Sequence, residues 1–299
     1  MAELISSGLI RGLGIGSTYA LLAVGFVIIY RATSVINFAQ PALMIMGAYF
    51  TSALATTAGL PFPVAVLLAM LALAVIGLVT ERVALRPMVG RPPFAAAMVT
   101  VGLFITLFAI AHWLIGTTVR TVRDPWGLER ATLFGVSVPQ IDLVKIVISL
   151  LAIAAVGLFL ARSRLGLAMR ATAQDQEVAL AQGVNVGRMF GLSWAISAAL
   201  AALAGVLIGT AAGGFEAVLA LVALKALPVI IVGGLDSIKG AVVAGLAIGV
   251  AEALTRTYQA QYAPWLGANF DVVVPYVIMI VVLMIRPYGL FGTPEVERV

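Results

Sequence analysis

The chain has 299 residues, of which 62% are hydrophobic and only 10% charged, with a formal net charge of +5. Average globular chains carry roughly 45–50% apolar and about 25% charged residues, so an ordinary soluble domain is excluded and the sequence reads as that of a membrane protein. The absence of cysteine excludes disulfides, thiolate metal sites and cysteine nucleophiles, and a single histidine excludes a histidine-rich metal cluster.

The chain starts Met1-Ala2-Glu3-Leu4, with no basic stretch ahead of the first apolar run and no small-residue cleavage site, so the first span is expected to act as the insertion signal. A spanning helix needs about 20 mainly apolar residues. Segments of that kind run from about Leu13 to Tyr30, Ala42 to Ala58, Val64 to Thr80, Phe94 to Gly116 and Leu143 to Ala161. In the second half they run from about Phe190 to Gly213, Ala217 to Val232, Ala241 to Thr257 and Val272 to Ile285. The predicted architecture is an all-α polytopic membrane bundle of nine crossings, within a range of eight to ten, forming a single transmembrane domain over 1–299. Repeated small residues, as in Gly12-Leu13-Gly14-Ile15-Gly16 and Gly245-Leu246-Ala247-Ile248-Gly249, let helix backbones approach closely. Gly-rich half-spans near Gly14 and Gly233 hint at an internal repeat.

Alternate loops differ sharply in basic content. Arg31, Arg82, Arg86, Arg91, Arg162, Arg164, Arg170, Arg188, Lys239, Arg286 and Arg298 fall on one side, eleven in all. The other side holds Arg120, Arg123, Arg130 and, at its edge, Arg256, offset by Asp124, Glu129 and Asp142. The richer side is expected to be cytoplasmic. That places the C-terminus inside and leaves Glu3 to Gly12 free to lie along the outer interface. Arg31 to Pro41, with Asn37 and Gln40 among apolar residues, reads as a loop or as a re-entrant element lining a cavity.

Catalytic signatures are absent. The three lysines follow Val144, Leu224 and Ile238, so no Gly-Lys pair exists to build a phosphate-binding loop, and any ATP that drives this protein is hydrolysed by a partner. Ser17 lacks a Gly-x-Ser-x-Gly context, and the lone His112 beside Trp113 suits an interfacial position better than a catalytic one. Intramembrane charge marks function by default. Arg11 and Lys145 are expected to snorkel from span ends, Lys225 to lie deeper or at a helix end, and Glu252 to pair with Arg256 one turn on.

The loop from Arg162 to Arg188 is too polar to cross a bilayer and too regular to be slack. Leu165, Leu167, Ala168, Val178, Ala179 and Ala181 recur at helical spacing, Asp175 is placed to cap a second helix and Gly183 to stop it. Two short helices there would form a docking surface for a protein partner.

Six motifs, in order, carry a resemblance to a known family. They are Gly16-Ser17-Thr18-Tyr19-Ala20-Leu21-Leu22-Ala23-Val24-Gly25; Val35-Ile36-Asn37-Phe38-Ala39-Gln40 with Gly47-Ala48-Tyr49; Glu81-Arg82 with Arg86-Pro87; Gly166 to Asp175; Gly233-Gly234-Leu235-Asp236-Ser237-Ile238-Lys239-Gly240-Ala241; and Arg286-Pro287-Tyr288-Gly289-Leu290-Phe291-Gly292. Over essentially its whole length the chain resembles the LivH-type permease subunit of branched-chain amino-acid ABC importers. The resemblance implies a non-enzymatic subunit of a bacterial inner membrane, without a cofactor of its own, that moves branched-chain amino acids inward. It implies a second permease, identical or related, two cytoplasmic ATPases that hold ATP and magnesium, and an extracytoplasmic solute-binding protein. Membrane lipid surrounds it and nucleic acid has no role. Glu177 to Gly183 partly follows the coupling signature of such permeases, which makes 162–188 the coupling loop and Arg170, Asp175, Glu177 and Gly183 the candidate coupling residues. Thr18, Tyr19, Asn37 and Gln40 are the candidate pathway residues. Similar permeases usually place Gly and an acidic residue where this chain has Pro41 and Ala42, which leaves a urea, amide or carboxylate solute open. A self-sufficient secondary transporter or channel is the rival reading.

Overall fold

In a computed structural model the protein is described over residues 2–293, apart from 117, 128, 134, 135, 212 and 268. Arg298, assigned above to the inner side, and the C-terminal tail lie outside the described residues.

Eleven α-helices, α1 to α11, dominate. The first half holds α1 (Ala2–Thr33), α2 (Gln40–Ser52), α3 (Phe62–Thr80), α4 (Pro93–Ile115) and α5 (Gln140–Arg162). Two short helices follow, α6 (Arg164–Gln174) and α7 (Gln176–Ala181), and then α8 (Val186–Ala211), α9 (Ala226–Gly233), α10 (Ile238–Tyr262) and α11 (Val274–Ile285). Proline marks several starts: Pro41, Pro63, Pro93 and Pro275 occupy the first turns of α2, α3, α4 and α11. An N–H at that position has no intrahelical acceptor, so proline loses nothing there and presets φ. Between α4 and α5 a small antiparallel hairpin pairs β1 (Arg130–Leu133) with β2 (Val136–Pro139), the one local addition to an otherwise helical chain among the described residues.

All nine apolar segments of the sequence become helical. Among the described residues six helices are long and apolar enough to cross a membrane: Ile5–Thr33, Phe62–Met88, Pro93–Ile115, Gln140–Arg162, Val186–Ala211 and Ile238–Gln259. The other three are shorter. They are α2, extended by a π turn over Ala53–Thr57, the run Ala217–Gly233, and α11. At about 1.5 Å per residue the 12 residues of α11 cover roughly 18 Å, well below the ~30 Å hydrocarbon core. Glu3 to Gly12 is no separate surface element: α1 runs unbroken through it. Gly14 likewise lies inside α1, whereas Gly233 closes α9, so the two glycine-rich half-spans are not structural counterparts.

Burial separates the helices into two shells. The apolar windows of α1 and α8 are 89% and 72% buried, while those of α3, α4 and α5 are 17–22% buried and leave most of their apolar surface facing outward. A helix apolar all round belongs in a core or in lipid; here α1 takes the core and α3 to α5 the rim. The centre is a close crossing of α1 with α10. A Cβ on Gly16 would lie 2.6 Å from the Gly245 carbonyl oxygen, and one on Gly245 would lie 2.8 Å from the Ala20 Cα. The two glycine clusters singled out in the sequence thus face each other.

Candidate functional site

The two ends of the bundle differ in chemistry. At one end α5 terminates at Arg162, and the chain turns back on it through α6, where the Ser163 hydroxyl accepts from the Gly166 N–H at 2.8 Å. Asp175 then starts α7, its Oδ1 accepting from the backbone N–H groups of Glu177 at 2.9 Å and Val178 at 3.0 Å. Gly183 ends the motif with φ +80, the left-handed geometry that glycine adopts without strain. Both local signals in the sequence therefore act as expected, and the loop is a pair of short helices.

Several expected inner-side basic residues meet there. The Gln176 amide donates to the Ala32 carbonyl at 3.2 Å, beside Arg31. Arg86 pairs with Glu81 at 3.3 Å and donates to the Gly187 carbonyl at 2.6 Å. Arg31, Arg170 and Ile238, next to Lys239, border one groove. Arg170 also donates to the Ala161 carbonyl at the end of α5. Among the apolar residues of the motif, Ala179 is buried, while Leu165, Leu167, Val178 and Leu180 are exposed together with Glu177. A short polar hairpin showing four aliphatic side chains has the composition of a protein-docking surface.

The opposite end contains a cavity of about 780 Å³. Its walls come from α1, α5, the end of α8, the 3-10 run before α9, α10 and the loop 121–130. That loop is held over the end of α2: Ser52 donates to the Thr121 carbonyl at 2.7 Å, Arg120 and Phe215 exchange two backbone hydrogen bonds, and Phe62 meets Trp126 edge-on at 5.3 Å. Ile15, Val122, Ile141, Ile208 and Val222 give the cavity apolar walls.

Two buried ion pairs line it. Lys225 Nζ lies 2.7 Å from Glu252 Oε1, bridging the junction before α9 to α10, with the side chains 11% and 2% exposed. Tyr19 donates its phenolic O–H to Glu252 Oε2 at 2.9 Å. Where α5 forms the wall, Lys145 lies 3.4 Å from Asp142, and Arg11 approaches the same carboxylate at 4.0 Å. Two expectations are corrected here. Lys145 does not snorkel to a span end, because Asp142 holds it among buried groups. Arg256 is not the principal partner of Glu252: it lies 3.8 Å from Glu252 but 2.7 Å from Asp271, and the buried lysine takes the nearer place.

The four pathway candidates separate into two pairs. Thr18 and Tyr19 line the cavity, Thr18 donating to the Gly14 carbonyl at 3.0 Å. Asn37 and Gln40 lie elsewhere, in a fully buried seam between α2 and α8. The Asn37 amide donates to Gln40 Oε1 at 3.1 Å, and Ser197 donates to the same oxygen at 3.0 Å. Asn37 Oδ1 also accepts from the Ala39 N–H, fixing the turn into α2. Sequence reasoning did not join Lys225 to Glu252, nor bury Asp142 or mark Asp271. The available signal was charge complementarity between separate spans, since no spacing rule links residues 27 apart.

Comparisons with known proteins agree along the chain. A family model described as branched-chain amino acid transport system, permease component, matches residues 8–283. The sequence is 33% identical over 310 aligned positions to the high-affinity branched-chain amino acid transport system permease protein LivH of Escherichia coli (strain K12), covering 97% of this chain and 96% of that one. It is 33% identical over 306 positions to the corresponding BraD protein of Pseudomonas aeruginosa, with 97% of each chain covered. Among solved structures, a chain of PsaBC from Streptococcus pneumoniae in complex with Fab matches with a TM-score of 0.53 at 13% identity, over 95% of this chain and 92% of that one. This last likeness is one of fold alone.

Proposed function

The chain belongs to the branched-chain amino-acid transport permease family, as a multi-pass inner-membrane transport subunit and not an enzyme, and from that premise we propose how it works. It is the membrane pathway of an ATP-binding-cassette importer for branched-chain amino acids, assembled with a second permease. Two cytoplasmic ATPases bind ATP and magnesium, and an extracytoplasmic protein delivers the solute.

The hairpin α6–α7 carries this reading: a capped, partly aliphatic protrusion at the end where Arg31, Arg86 and Arg170 gather. Residues 162–188 are the coupling loop of the single domain 1–299. Leu165, Leu167, Val178 and Leu180 enter a cleft on the ATPase, Arg170 and Glu177 add charge at its rim, and Asp175 and Gly183 keep α7 in shape. That end is cytoplasmic, and the C-terminus lies on the same side. The cavity then opens outward to the binding protein, with Thr18 and Tyr19 on the pathway and Asn37 and Gln40 holding α2 against α8 beside it. ATP-driven closure of the ATPases moves α6–α7, and packed helices pass the motion to the cavity.

Gentle extraction of the tagged chain from its native membrane, with mass spectrometry of what remains bound, tests the assembly. Two P-loop ATPases and a second permease in stoichiometric amount are expected. Recovery of the chain alone as a homo-oligomer in several mild detergents would replace the importer by a secondary transporter or channel.

A further inference from the structure

The cavity wall carries a buried cation, Lys225, hydrogen-bonded to a single protein group. Lys225 is 9% exposed, and among the described residues Glu252 Oε1 accepts the one hydrogen bond that its three N–H groups make. Glu252, in contrast, has a second hydrogen-bond donor: Tyr19 holds Oε2 at 2.9 Å, and Arg256, held by Asp271 at 2.7 Å, adds positive charge 3.8 Å from Oε1. Withdrawal of Lys225 from this pair would therefore leave Glu252 partnered, whereas Lys225 itself needs an acceptor. An ammonium group kept this deep is costly unless paired. The position is also special along the chain. Lys225 ends the 3-10 run Ala217–Lys225, and α9 begins at the next residue, so its backbone sits where a helix changes pitch at the cavity wall. The aliphatic residues that line the same cavity, Ile15, Ile208 and Val222, suit a branched hydrocarbon side chain.

We propose that Lys225 is the carboxylate anchor of the translocation cavity: it takes the α-carboxylate of the incoming amino acid while Glu252 stays with Tyr19 and Arg256. The permease would then read the head group of its solute itself, in addition to whatever selection the binding protein makes. This inference rests on the importer reading, which fails or stands separately by the co-purification above.

Ligand-observed NMR titration of the importer complex in nanodiscs, without the binding protein, tests the anchor with two probes, leucine and leucinamide, which differ in the carboxylate. The wild-type complex is expected to bind leucine at least tenfold more tightly than leucinamide. Lys225→Met is expected to weaken leucine to the level of leucinamide and to leave leucinamide unchanged, an effect that a merely structural lysine would not produce. Lys225→Arg should keep the preference. If Lys225→Met does not assemble, Lys225→Met/Glu252→Gln removes both charges together, and the same loss of preference is required of it. A preference that survives loss of the lysine, its absence in the wild type, or equal weakening of both probes would overturn the proposal.

Discussion

Tyr19 in α1 and Glu252 in α10 are joined by a buried hydrogen bond of 2.9 Å, and the opposite carboxylate oxygen of Glu252 holds Lys225 at 2.7 Å. Three segments distant in sequence are tied by one carboxylate. Removal of one partner of a buried ion pair costs about 3–5 kcal/mol, whereas loss of one hydrogen bond to a charged group costs about 1.5–3 kcal/mol. Glu252→Ala is therefore expected to lower the thermal unfolding midpoint of the purified protein more than Tyr19→Phe. Equal midpoints for the two variants would contradict this ordering.

The crossing of α1 and α10 depends on the absence of side chains. Gly16→Val places new atoms where Gly245 already has its carbonyl, 2.6 Å from the first of them. Overpacking typically costs about 1–3 kcal/mol, and backbone offers no rotamer by which to yield, so yield of folded protein in the membrane should fall strongly. Gly102→Ala in α4, where a Cβ meets nothing within 4 Å, is the matched control and should express as the wild type does.

The cap of α7 is a local device, with local consequences. Asp175→Ala removes the acceptor for two backbone N–H groups, a loss of about 0.5–2 kcal/mol to the helix. Limited proteolysis should then cut within 175–183 faster than in the wild type. Asp175→Asn, an equally good cap, should restore protection, which separates helix capping from charge.

On the coupling role proposed for α6–α7, charge on that hairpin acts at the partner. Both Arg170 and Glu177 are exposed, and Arg170 makes one 3.3 Å contact, to Ala161. Arg170→Glu and Glu177→Lys should leave the bundle folded yet lower solute-stimulated ATPase activity of the assembled complex severalfold. Unchanged stimulation in both variants would remove these residues from the coupling surface.

Short-range chemistry was legible in the sequence, and long-range charge pairing was not. Asp175 and Gly183 announce a helix start and stop because capping is settled within three residues of the cap. The clusters around Gly14 and Gly249 announce a close crossing because small residues allow little else. The span count was harder to delimit: α2, even with its π turn over Ala53–Thr57, and α11 are apolar yet shorter than the six long helices. Burial rather than composition decides where they lie. The pairing of Lys225 with Glu252 was hidden for a different reason. A local i,i+4 rule offered Arg256, and only the tertiary path shows that Asp271 claims that arginine at 2.7 Å. Asn37 and Gln40 were expected on the pathway because polar side chains in a membrane suggest one; the fold places them away from the cavity lining, bonded to each other and to Ser197.

The chain contains no cysteine, so a single introduced thiol reports one position without background. Leu180→Cys on α7, cross-linked in native membranes with a short bifunctional reagent, tests the coupling assignment most directly. The expected product is a covalent adduct with the ATPase subunit whose yield changes when ATP is bound, absent for Ile105→Cys on the outward face of α4. An adduct from the α4 position with none from Leu180→Cys would place the energy input elsewhere and contradict the assignment of α6–α7 as the coupling element.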